Sequence, residues 1–149
     1  SYQYIRLLPK LSPFAIMNTR KKKLSILSEM IEFAKVDGVV KEPEYHFLLN
    51  VSEQLGVDKE SFDALFENES EHVIPKTEGD RILQFHRLTL LMNVDQIQEE
   101  AEVGRLHNIG LGMGLPPSAI DQVLSVMHQY PNNVVPPKVL INIFKAHYN

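Results

Sequence analysis

Val36-Asp37-Gly38-Val39-Val40-Lys41-Glu42-Pro43-Glu44 returns as Val94-Asp95-Gln96-Ile97-Gln98-Glu99-Glu100-Ala101-Glu102, 58 residues further along a chain of 149. The same offset pairs Leu24 with Ile82, Leu27 with Phe85, Leu48 with Leu106 and Val51 with Ile109. It also pairs Leu55-Gly56-Val57 with Met113-Gly114-Leu115, and Phe62 with Ile120. Acidic, apolar and glycine positions agree in one register without a gap, so the chain reads as a duplication.

Within each copy the apolar residues recur at helical spacing. Leu24, Leu27, Ile31 and Ala34 predict a helix over about 19–36. The Asp37–Lys41 turn follows, and Pro43 fits the first turn of the next helix, where its missing N–H is not needed. Leu48, Val51 and Leu55 form that helix's stripe, with Gly56 as its C-terminal cap. Asp58 caps a short helix carrying Phe62, Leu65 and Phe66, and Asn68–Thr77 is a polar connection. The second copy predicts helices near 79–94, 98–113 and 117–130, and Pro137 opens a last helix over about 136–147 that caps the stack. The expected fold is all-α: one compact domain of about seven helices built from a duplicated three-helix unit. Repeat one spans about 19–67 and repeat two about 79–130, behind a basic arm at 1–18.

Composition narrows the chemistry. There is no cysteine, which removes disulfides, thiolate metal sites and cysteine nucleophiles. No apolar run approaches the ~20 residues that cross a bilayer. Residues 1–23 carry six basic residues and no acidic one, whereas the remainder carries nine basic against nineteen acidic. The arm does not read as a secretory signal, because Arg6, Pro9, Lys10 and Pro13 interrupt it and its densest charges follow its apolar stretch. Met17 stands where an alternative start would lie. The basic run Arg20–Lys23 reads as a solvated helix start, and the acidic body argues against nucleic-acid binding.

The duplicated acidic turn is the candidate site: Asp37 and Glu44 in the first copy, Asp95 and Glu102 in the second. Carboxylates gathered at a turn can ligate a hard divalent cation through oxygen. The competing reading carries more weight: Asp37 and Asp95 accept hydrogen bonds from turn N–H groups, and Glu44 and Glu102 favour a helix start. The turn lacks the alternating acids of an EF-hand. Val39, Val40 and Ile97 are expected to fold inward as apolar plugs beside the turns. Gly104, Gly110, Gly112 and Gly114 suggest a closely packed helix ending in a cap, not a phosphate loop, since no strand precedes them. The six histidines show no HxxxH pairing, and each reads as a surface or packing residue.

Ala34-Lys35-Val36-Asp37-Gly38-Val39-Val40, then Glu44, then Leu55-Gly56-Val57, resembles the tellurite-resistance TerB-like family. The resemblance covers roughly residues 24–130. The second copy keeps Asp95, Glu102 and Gly114 but has Gln96 at the family's glycine and Met92 at its alanine. The resemblance implies a compact helical fold, a cytoplasmic, membrane-associated or stress-linked setting, and metal ions at acidic residues. The expectation is therefore a non-enzymatic, cytoplasmic interaction or stress-sensing domain. It would have a protein partner, no nucleic acid, only indirect membrane contact, and no certain cofactor beyond a divalent cation at the turns. The alternatives are a structural adaptor without metal and a carboxylate-metal hydrolase, the latter favoured if His46 or His107 converged on the turns.

Overall fold

A computed structural model describes residues 16–36, 38–95 and 100–147, with the side chains of 16–18 outside that description. The regular secondary structure of the described residues is helical, with no β-strand. The chain divides into two compact units, Ser1–Val73 and Ile74–Asn149.

The first unit contains α1 (Ile16–Ala34), α2 (Glu42–Gln54) and α3 (Lys59–Ala64). Helix α1 starts at Ile16, inside the stretch expected to be an arm, and stops two residues short of the expected end. Its buried stripe is Leu27, Met30, Ile31 and Phe33. Pro43 sits in the first turn of α2, flanked by Glu42 and Glu44, where negative charge meets the positive helix end. Leu48 and Val51 turn inward from α2. Asp58 caps α3 by accepting from the Ser61 N–H at 2.8 Å. The rings of Tyr45, Phe62 and Phe66 pack together, with centroids 5.2–5.7 Å apart.

The second unit contains α4 (Glu78–Met92), α5 (Glu100–Gly112), α6 (Pro117–Val126) and α7 (Pro137–Ala146). Helices α5 and α6 begin 58 residues after α2 and α3, so the repeat read from sequence is a repeat of elements. The terminations match too. Gly56 and Gly114 both adopt positive φ (74° and 79°), where a side chain is strained. The Val57 and Leu115 N–H groups then donate to the carbonyls of Ser52 and Gly110, at 3.0 and 3.1 Å. Helix α6 ends at Val126 and continues as a 3₁₀ turn, Met127–Gln129, instead of running on to 130. Asn132 and Asn133 take positive φ and break the chain before α7. Helix α7 closes this unit, with Phe144 edge-on to Phe85 at 6.1 Å.

Two packing expectations need correction. Val39 is not a plug: it is 65% exposed. Val36 and Val39 instead exchange both backbone hydrogen bonds, at 2.9 and 3.0 Å, so these β-branched residues serve the turn's backbone and not the core. Val40 is half-buried, and Ile97 lies outside the described residues. Close packing is confined to Gly110, where an added Cβ would stand 2.7 Å from Ile120 Cδ1 and 3.2 Å from Phe85 Cε1. At Gly104 and Gly112 it would meet nothing within 4 Å.

Candidate functional site

The acidic turns fare unevenly. Asp37 lies outside the described residues. Glu44, in the first turn of α2, is half-buried, and its Oε2 is sealed from solvent without a hydrogen-bond partner among the described residues. Asp95 follows α4 and Glu102 opens α5; both are half-buried and both are engaged by other groups. His46 lies beside an acid of the first turn segment, whereas His107 faces α6. His46 Nε2 lies 3.5 Å from Glu42 within α2, and His107 Nε2 lies 3.0 Å from Asp121 of α6.

A different constellation assembles on α1. After α3 the chain is non-helical and runs back antiparallel along α1 as a strap. Ser28 Oγ accepts from the Ser70 N–H at 2.9 Å, and Ser25 Oγ accepts from the Val73 N–H at 2.7 Å. Both serines are buried, so these bonds satisfy hydroxyls that water cannot reach. Lys35 Nζ donates to the Phe66 carbonyl at 3.3 Å, and Lys21 lies 3.4 Å from Glu71. In this arrangement the strap sets Glu69 and His72 beside Glu32 of α1. One ligand atom from each of the three lies within 4.8 Å of the others.

Two carboxylates and an imidazole are the donor types of first-row divalent ions. Ligand atoms around a tetrahedral zinc at ~2.0–2.1 Å stand roughly 3.3 Å apart, so a modest side-chain adjustment would close the triangle. His72 Nε2 is already 3.3 Å from Glu32 Oε2. Lys35 Nζ is 3.9 Å from Glu69 Oε1, a loose contact that an ion would displace. All three ligand residues are exposed. Sequence spacing could not reveal this set: Glu32 and His72 are forty positions apart and meet only through the strap.

The second unit concentrates buried polar groups on α4: Gln84, His86, Arg87, Thr89 and Asn93. Asn93 Nδ2 donates to the carbonyls of Thr89 (2.9 Å) and Asn133 (3.2 Å), tying the end of α4 to the turn before α7. Burial pushes His86 down to about 3, so its imidazole is neutral at ordinary pH. Arg87 donates from Nη1 to Gln84 Oε1 at 3.0 Å. A lone arginine inside the apolar stretch 82–92 was the available sequence signal for this buried group.

Comparison of the chain with family models, curated proteins and solved structures finds no match. No helix among the described residues is long and apolar enough to cross a membrane.

Proposed function

We propose that the chain is a non-enzymatic, cation-responsive interaction domain of TerB-like character, working in the cytoplasm with a protein partner. The observation that carries this reading is the convergence of Glu32, Glu69 and His72. A divalent ion held there would join α1 to the strap, so metal occupancy would set how firmly residues 69–73 lie on the helix. This is the physical basis for sensing: an exposed segment anchored by polar contacts responds to a ligand of modest affinity, because binding adds RT ln(1 + [L]/Kd) to the docked state.

A second cation locus at the first acidic turn is favoured by the sealed, partnerless Oε2 of Glu44. A buried carboxylate oxygen without a donor is unfavourable, and a cation would relieve it.

Titration calorimetry with zinc, manganese, magnesium and calcium chlorides tests both loci on the parent, His72→Ala and Glu44→Gln. The expected outcome is zinc or manganese binding that His72→Ala abolishes and Glu44→Gln leaves intact, and weaker calcium or magnesium binding that Glu44→Gln abolishes and His72→Ala leaves intact. Loss of zinc and manganese binding in Glu44→Gln alone would move the first site to the turn. No heat from any ion at millimolar concentration would overturn the cation reading and leave a structural adaptor.

A further inference from the structure

Arg87 is 3% exposed, and of its guanidinium nitrogens only Nη1 is used, by Gln84. Nε and Nη2 are both sealed from solvent and have no hydrogen-bond partner among the described residues. Those two nitrogens form one edge of the guanidinium plane. Their N–H bonds point the same way, as the fork that takes two oxygens of a carboxylate or phosphate at once. The unused donors are thus the pair adapted to one oxyanion.

Energetics argue that this edge has a ligand. Burial lowers Arg87 to about 10, which leaves it charged at neutral pH. Leaving a buried donor unsatisfied costs roughly 1–3 kcal/mol, more for a charged group, and two are unsatisfied here. The α4 sequence from Arg81 to Met92 supplies no carboxylate. Asp80 favours the charged form only from a distance of two helical turns, and is itself exposed. Gln84, 1% exposed, orients the group through Nη1 and leaves the opposite edge free to recognise something else.

We propose that Arg87 is an oxyanion site, in which Nε and Nη2 take a carboxylate or phosphate group bidentately. Because the edge is sealed, the anion enters through local opening, which native proteins undergo well below their global unfolding free energy. The bound state then closes over a paired charge in place of an unpaired one.

The test is thermal melting, followed by far-UV circular dichroism, in sodium phosphate, sodium acetate and sodium chloride at matched ionic strength. The parent is expected to melt higher in phosphate or acetate than in chloride, and the more effective anion identifies the tetrahedral or the planar group. Arg87→Lys keeps the charge without the fork, and Arg87→Met removes both; each should lose the specific rise. Any general stabilisation by phosphate as an excluded salt persists in both variants and is subtracted. Arg87→Met should also melt higher than the parent in chloride, since replacing a buried, unpaired charge by an apolar chain is often stabilising. If neither variant folds, hydrogen exchange of the parent's amides from 84 to 91 decides. Exchange should slow by the factor 1 + [anion]/Kd in phosphate or acetate and not in chloride. Identical melting of the parent in all three salts, an anion response retained by Arg87→Met, or exchange indifferent to the anion would overturn the proposal.

Discussion

Lowering the pH from 7.5 to 5.0 should destabilise this protein through one residue. His86 is 1% exposed, and burial holds its folded-state value at about 3 against the ordinary 6.5. The folded pKa is depressed, so the unfolded chain binds a proton that the native chain refuses. The contribution is therefore fully present above pH 6.5 and is lost progressively as pH falls from 6.5 towards 3. The full separation corresponds to about 5 kcal/mol at 1.36 kcal/mol per unit. Over pH 7.5 to 5.0 the linkage integral gives about 2 kcal/mol, before most carboxylates begin to titrate. Urea denaturation followed by circular dichroism at several pH values measures this, with His86→Gln as the reference. All other groups are common to the two proteins, so the informative quantity is the difference of their pH slopes. The parent should lose about 2 kcal/mol more than His86→Gln across that interval. Parallel curves would show that His86 is protonated without opening the fold, and would refute the reasoning from burial.

Two further outcomes follow from local geometry. Gly110→Ala should lower stability by about 1 kcal/mol, because overpacking against Ile120 and Phe85 outweighs the ~1 kcal/mol gain in helix propensity; Gly104→Ala, with open space around it, should raise stability by up to ~1 kcal/mol, and urea midpoints compare the two. Thr77→Ala should cost about 1 kcal/mol by removing the hydroxyl that accepts from the Asp80 N–H at 3.1 Å, read as a lower thermal midpoint.

Much of the fold was legible because its determinants are local. Periodic apolar residues, Pro43, Asp58 and the glycines at 56 and 114 each act within one turn of chain, and a gapless duplication let each copy check the other. What failed was what depends on tertiary context. Val39 reads as core by residue type, yet its turn needs its backbone and leaves its side chain in solvent. Gly104 and Gly110 look alike in sequence and differ only in what faces them. Polar composition marks the strap only as a connection, since it gives no hint that Ser25 and Ser28, buried on α1, bind its backbone. The Glu32–Glu69–His72 group was hidden for the same reason.

The Glu32–Glu69–His72 group and Arg87 lie where the two copies stop resembling each other. A duplicated scaffold keeps its packing positions under common constraint: Leu48 and Leu106, Phe62 and Ile120, Leu27 and Phe85 are all fully buried. Departures from the register are then where the copies differ in chemistry. At the 58-residue offset His86 replaces the strap-binding Ser28, and Arg87 replaces Glu29. Ser28 binds the chain that returns along its own helix, whereas its counterpart is a buried neutral imidazole followed by a buried cation. Conversely, the segment after α3 carries Glu69 and His72, while the segment after α6 coils into 3₁₀ turns with Met127 and Tyr130 at the matching positions, neither an acid nor a histidine. A cation site in the first unit and an anion site in the second therefore need not compete. Zinc or manganese should act through His72 alone, and phosphate or acetate through Arg87 alone. His72→Ala that abolished the anion response, or Arg87→Met that abolished the metal response, would show the two sites to be coupled and would defeat the view that each copy has specialised independently.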